Sequence, residues 1–192
     1  MIKKKILYLS RHGQSQFNVE KLIGGNSGLT YEGINYSKLL FNYFKDKNVN
    51  IWTSKLKRTI QTASFFDKQF IKNYDELNEI NSGICDSMTY QEIEKKFPEE
   101  FNKRKNNKYY YRYPNGESYA DIDKRLQIIY KSIDQSNQDI LIIAHQAVLR
   151  VLISNYIKRN INEIPYIEVS LNTVYKITID QEYCTIESVR LI

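Results

Sequence analysis

The 192 residues carry 28 Lys and Arg against 22 Asp and Glu, a net charge of +6, with 42% hydrophobic and 26% charged residues; this excludes a disordered chain and allows a sizeable core. No apolar run reaches the ~18 residues of a membrane span, and no charged-then-apolar leader ends in a small-residue cleavage site, so neither membrane span nor signal peptide is expected. Cys85 and Cys184 lack CxxC spacing and neighbouring histidines, which argues against a disulfide framework or zinc site and fits a reducing, cytoplasmic setting.

Residues 1–5 lead directly into Ile6, Leu7, Tyr8 and Leu9, which read as a buried strand. The chain then turns abruptly to Arg11-His12-Gly13, offering a cation, an imidazole and a backbone that permits close approach. Ligands of open α/β sheets bind beyond the carboxyl ends of strands, so His12 stands where a rigid element can hold a reactive group. A polar loop over 14–30, containing Gly24, Gly25 and Gly28, leads to Thr30, which caps a helix with Tyr36, Leu39, Leu40, Tyr43 and Phe44 at helical spacing. Residues 50–53 form a short second strand. The next helix is predicted from Leu56, with Arg58 in its first turn, through Ile60, Ala63 and Phe66 toward Phe70, and 71–74 is a third strand.

The middle of the chain, about 76–117, has no strand periodicity and two short helical patterns near 89–97 and 98–104. An excursion of this kind between core elements reads as a substrate-capping or specificity region. Ser118 caps a helix with Leu126, Ile129, Tyr130 and Ile133 on one face, and 139–144 is the strongest strand in the chain. It delivers His145, after which Ala147, Val148, Val151 and Leu152 open another amphipathic helix. Residues 173–179 and 184–191 close the sheet as a hairpin. The alternation predicts an α/β fold, a three-layer sandwich in one domain over 1–192: a mostly parallel sheet, helices on both faces and an antiparallel edge.

Only two histidines occur, and each follows a strong apolar run. Neighbouring parallel strands would bring both imidazoles to one crevice. If Arg11, Arg58, Arg104, Lys108 and Arg150 face that crevice, they absorb nearly all of the positive excess. Little then remains for a nucleic-acid stripe, and no helix-turn-helix, RNP-type or zinc-finger pattern is present. The expected partner is a small anionic molecule; oligomeric state is not readable from these residues.

Four segments then carry a resemblance: Arg11-His12-Gly13; Ser54-Lys55-Leu56-Lys57-Arg58-Thr59-Ile60-Gln61-Thr62-Ala63; Leu77-Asn78-Glu79-Ile80 with Gly83; and Ala144-His145-Gln146-Ala147. In this order they resemble the landmarks of the histidine phosphatase superfamily, which includes the phosphoglycerate mutases. Within it the chain is most similar to the fructose-2,6-bisphosphatase domain of 6-phosphofructo-2-kinase/fructose-2,6-bisphosphatase. That likeness runs through Trp52-Thr53-Ser54, Met88-Thr89-Tyr90, Tyr111-Arg112-Tyr113-Pro114, Gly116-Glu117-Ser118-Tyr119 and His145-Gln146-Ala147-Val148.

The resemblance implies a phosphomonoester hydrolase. His12 would be the nucleophile, becoming phosphohistidine transiently; Arg11 and Arg58 would supply planar forks to the phosphoryl oxygens, and His145 a second donor. Glu79 would protonate the leaving alkoxide and later accept a proton from attacking water. It also places Asn18 and Gly24 at the transferring phosphate or the sugar, and Tyr90, Arg104, Lys108, Tyr119, Gln146 and Arg150 around the sugar and a second phosphate. Arg104 and Lys108 lie one turn apart if their helix persists, giving two cations for a second anion. The aromatic run 109–113 reads as packing.

The reaction implied first is hydrolysis of fructose 2,6-bisphosphate to fructose 6-phosphate and phosphate. A broad sugar-phosphate phosphatase or a phosphoglycerate mutase is the alternative. A non-catalytic sugar-phosphate-binding protein is the weakest reading, because a binding module has no use for an acid–base carboxylate. No metal or cofactor is expected, since arginines and imidazoles already neutralise the phosphoryl charge. Two departures stand out. Gln14 replaces the Glu that commonly follows Arg-His-Gly in these families, and no GxxxxGK[ST] loop occurs, so these residues are not expected to make the bisphosphate.

Overall fold

A computed structural model describes residues 5–180 and 184–192. The lead-in at 1–4 and the connection at 181–183 lie outside the described residues. Six strands form the sheet described: β1 (Lys5–Arg11), β2 (Val49–Ser54), β3 (Ile71–Tyr74), β4 (Asp139–Ala144), β5 (Thr173–Ile179) and β6 (Cys184–Arg190). Their spatial order is β3-β2-β4-β1-β5-β6. The first four run parallel, and β5 and β6 add the antiparallel edge.

The helices are α1 (Gln16–Glu20), α2 (Tyr31–Phe44), α3 (Lys57–Thr62), α4 (Tyr90–Lys96), α5 (Pro98–Asn106), α6 (Tyr119–Gln135) and α7 (Gln146–Ile157). Because β4 is covered on both faces, it reads as an unbroken apolar run, with its side chains dividing alternately between two cores. Ile140 and Ile142 join Leu7, Leu9 and Trp52 against Leu126, Ile129 and Ile133 of α6 and Val148, Val151 and Leu152 of α7. Leu141 and Ile143 join Tyr8 and Ile51 against Tyr36, Leu40 and Phe44 of α2. These layers are the three-layer α/β sandwich expected from the alternation.

The predicted caps form: Thr30 Oγ1 accepts from Gly33 N at the start of α2, and Ser118 and Asp121 close a reciprocal capping box on α6. One helix is shorter than predicted. Instead of running toward Phe70, α3 ends at Thr62, and Asp67 caps a separate 3-10 turn at Lys68–Phe70. Phe66 still reaches the α2-side core, but from a turn, and Phe70 is half exposed. Helical spacing of apolar residues had merged two local structures. The end of α5 at Asn106 is a second correction: Lys108 lies beyond it, so Arg104 and Lys108 do not share a helical turn.

The 76–117 excursion builds its own small cluster, in which Cys85, Ile93 and Tyr113 are buried against Ile23, Phe97 and Phe101. Two backbone hydrogen bonds, Ile23 N to Met88 O (3.0 Å) and Ser87 N to Ile23 O (2.9 Å), fasten it to the loop after β1.

Candidate active site

The parallel register of β1 and β4 sets Arg11 beside Ala144. One residue further, His12 N donates to Ala144 O (3.0 Å), so His12 and His145 leave the sheet together with ring centroids 5.2 Å apart. Arg58, in the first turn of α3 and 4% exposed, inserts between them; its Nε donates to His12 Nε2 (3.1 Å) and His145 Nδ1 (3.2 Å). A guanidinium only donates, so both of these ring nitrogens carry lone pairs. The network therefore assigns the His12 proton to Nδ1, which donates to Gly13 O (2.7 Å), and the His145 proton to Nε2, which donates to Ser54 Oγ (2.8 Å).

Burial holds the His12 imidazole well below its ordinary pKa, with Arg58 and Arg11 adding to the effect. His145 is depressed in the same direction, first by burial and then by Arg58. Both rings are therefore neutral near pH 7, and a neutral Nε2 lone pair on His12 is the form in which imidazole attacks.

Around His12 opens a cavity of about 130 Å³. It gathers every residue singled out from the sequence except His145 and Lys108. Arg11 lines it and is anchored behind by its Nη1, which donates to Val169 O (2.9 Å). Glu79 lines it with Oε1 accepting from Ile80 N (2.9 Å) and from Ala147 N (3.3 Å), in the first turn of α7. Gly24 contributes bare backbone at φ +70; a Cβ there would lie 1.8 Å from Asp86 Oδ1. Asn18 also lines the cavity, although its Oδ1 is already engaged by Ser15 N (3.0 Å) in the capping of α1.

The same cavity is also lined by Tyr90, Arg104, Tyr119, Gln146 and Arg150. Arg104 lies between two aromatic rings, 5.3 Å from the centroids of both Tyr90 and Tyr113. Arg150 donates to Tyr119 Oη (3.0 Å) and Ile167 O (2.8 Å). Four guanidinium groups, those of Arg11, Arg58, Arg104 and Arg150, thus line one cavity with Glu79 in its wall.

Two expected residues stand back from that wall. His145 is fully buried beneath Arg58, so direct contact with a phosphoryl oxygen requires the guanidinium to move. Lys108 donates to Pro165 O (3.2 Å) and sits 4.5 Å from the Tyr166 ring centroid. Burial, then Arg104 and Arg150, lower its ammonium to about 8. Gln14 is also outside the wall, with Oε1 accepting from Thr30 Oγ1 (2.8 Å) at the cap of α2.

Several residues here carry no sequence signal of their own. Tyr113, assigned from the aromatic run to packing, lines the cavity. Ser54 holds His145, and Thr62 Oγ1 accepts from Gly13 N (2.9 Å) beside His12. Only the Ser54-to-Ala63 motif marked the last two as a group. Among the described residues, no cluster of His, Cys, Asp and Glu could hold a metal ion, and no helix is long and apolar enough to cross a membrane.

The chain is 43% identical over 188 residues to 6-phosphofructo-2-kinase/fructose-2,6-bisphosphatase of Aquarana catesbeiana, and 40% identical to 6-phosphofructo-2-kinase/fructose-2,6-bisphosphatase 1 of Homo sapiens. Each match covers 96% of this chain but 40% of the relative, so the chain spans about two fifths of the length of these curated relatives. The crystal structure of the alpha-ribazole phosphatase of Shigella flexneri superposes with a TM-score of 0.86 at 27% identity, covering 96% of each chain. The family model of the histidine phosphatase superfamily (branch 1) matches residues 7–191, and the chain belongs to that superfamily.

Proposed function

We propose that this chain is a phosphatase of small phosphorylated sugars that works through a phosphohistidine. The observation that carries the reading is the unprotonated Nε2 of buried His12, which borders the cavity with Arg11 and Arg58 beside it and Glu79 in the same wall. The phosphoryl group enters with its oxygens on Arg11 and Arg58, drawing the Arg58 Nε off the His12 lone pair. His12 Nε2 attacks phosphorus, the bond from phosphorus to the sugar oxygen breaks, and Glu79 gives that oxygen its proton. Water then attacks phosphorus, Glu79 takes the water proton, and the phosphorus–nitrogen bond breaks with its electron pair returning to Nε2. Developing charge on the equatorial oxygens is offset by the guanidinium groups and, once Arg58 has shifted, by His145.

The further guanidinium groups of Arg104 and Arg150 in the cavity wall favour a substrate with a second anionic group. A fructose-2,6-bisphosphate 2-phosphatase is the narrower reading, supported by 43% identity to a bifunctional relative of that name. The solved relative named as an alpha-ribazole phosphatase supports the broader one. In either, residues 76–117 act as the cap of this site within a single domain, with their small cluster fastened to the loop after β1. The buried free thiol of Cys85 accords with a reducing, cytoplasmic setting.

The test is to incubate the protein with phosphorylated sugars and glycerates, and to follow released phosphate together with acid-labile, base-stable phosphate on His12. Turnover with a phosphoenzyme that disappears in His12→Ala supports the reading. Transfer to a glycerate in preference to water would make the chain a mutase, and tight sugar-phosphate binding without any phosphoenzyme would make it a binding protein.

A further inference from the structure

Glu79 sits on an irregular stretch between β3 and α4, so no regular backbone fixes where its carboxylate stands. Both flanks of that stretch are nevertheless tied to the same two residues. Arg125, on α6 with its side chain 19% exposed, donates from Nη1 to Glu76 O and from Nη2 to Asn78 O (2.7 Å). The same guanidinium grips Glu117, Nε to Oε1 (3.0 Å) and Nη2 to Oε2 (3.2 Å). Glu117 in turn accepts from Asn81 N at Oε2 (3.0 Å), and its backbone N–H donates to Asn81 O (2.8 Å). Three backbone groups flanking Glu79, namely Glu76 O, Asn78 O and Asn81 N, are thus held by the side chains of one bidentate ion pair, and a fourth, Asn81 O, by the Glu117 backbone.

A bidentate guanidinium–carboxylate pair is directional, and a lysine, with three donors on one nitrogen, cannot reproduce the four bonds that Arg125 makes from three nitrogens. Neither Arg125 nor Glu117 lines the cavity. We infer that Arg125 and Glu117 are positioning residues for proton transfer by Glu79, fixing the carboxylate's reach to the leaving oxygen. The inference rests on the acid–base role proposed above for Glu79. It differs from a scaffold role, in which the pair merely docks the 75–81 stretch onto α6.

The nature of the leaving group separates the two roles. A sugar alkoxide needs the proton as its bond to phosphorus breaks, whereas an aryl oxide that is stable as an anion hardly does. The ratio kcat/KM stops at phosphohistidine formation and excludes the later water step. It is to be measured for Glu79→Gln, Arg125→Ala, Arg125→Lys and Glu117→Gln on a phosphorylated sugar and on p-nitrophenyl phosphate, with circular dichroism to verify folding.

Glu79→Gln should lose about 100-fold or more on the sugar phosphate and less than about tenfold on the aryl ester. Arg125→Ala and Arg125→Lys should repeat that selectivity, with about tenfold or greater loss on the sugar phosphate and about threefold or less on the aryl ester. Glu117→Gln should shift in the same direction by less. Equal losses on both substrates in folded Arg125 and Glu117 variants would reduce the pair to scaffold and overturn the inference. Absence of selectivity in Glu79→Gln would instead remove the acid–base role. If Arg125→Ala does not fold, Arg125→Lys and Glu117→Gln decide the question.

Discussion

His12 and His145 face each other with ring centroids 5.2 Å apart, and neither can accept a proton cheaply, because Arg58 lies between the rings and both are buried. In the unfolded chain each would titrate near the ordinary value of about 6.5. In the native protein both stay neutral well below it. As pH falls through about 6.5 the unfolded state takes up protons that the native state refuses, so stability is full above that pH and declines below it. Each group contributes at most about 1.4 kcal/mol per pH unit. Denaturant titrations at pH 7 and pH 5 should show a loss that becomes about half as steep on this account in His12→Gln. Identical slopes in the two proteins would mean that the imidazole is not held neutral.

Gly24 occupies the left-handed region at φ +70, and a methyl group there meets the Asp86 carboxylate, which accepts from Gly25 N (2.9 Å) and Ser82 Oγ (3.0 Å). Arg58 Nη1 donates to Gly25 O (2.8 Å), so a displaced loop also disturbs the arginine beside His12. Gly24→Ala should cost about 1–2 kcal/mol through the backbone alone. It should further lower kcat/KM for any phosphorylated substrate. Denaturation midpoints and steady-state rates on one protein preparation check both, and a wild-type rate in a folded variant would show that the loop adapts.

The course of the chain was legible where burial is two-sided or a cap is spelled out. The apolar run 139–144, the Thr30 and Ser118 caps, and two histidines following two strands sufficed for the sandwich and for the sheet edge where the two imidazoles meet. Register was not legible, and it is register that makes Arg11 level with Ala144. Apolar spacing also carried the helix after Leu56 past Thr62, because Phe66 reaches the core whether it sits on a helix or on a turn. Tyr113 could not be separated from its aromatic neighbours by sequence, since packing against Cys85 and Ile93 and lining the cavity make the same demand on a tyrosine.

Lys108 lies outside the cavity wall with its ammonium lowered to about 8 by burial and by the nearby charges of Arg104 and Arg150. The positive charges of Arg104, Arg150 and Lys108 together invite an anion, and Lys108 attracts it only when protonated. The kcat/KM advantage of a bisphosphorylated sugar over its monophosphate should therefore hold at pH 7 and shrink as pH rises through about 8. Lys108→Met should give a smaller ratio that no longer changes between pH 7 and pH 9. A ratio in the wild-type protein that is flat over that range would leave Lys108 as a prop for the Pro165 backbone.

Arg104 carries the sharpest test of a second anion site, because its guanidinium lies 5.3 Å from the centroids of both the Tyr90 and Tyr113 rings and lines the same cavity as His12. A charge-assisted hydrogen bond contributes about 1.5–3 kcal/mol, equivalent to about 10- to 150-fold in kcat/KM. Arg104→Ala should lose that much on a bisphosphorylated sugar and stay within about twofold on a monophosphate. Arg104→Lys should recover little, since a point charge neither stacks between two rings nor forks onto a phosphate. Arg150→Ala should behave like Arg104→Ala, and the double variant should lose less than the product of the two if both hold one phosphate. Losses of equal size on mono- and bisphosphates would instead place both arginines at the reacting group and leave no second anion site.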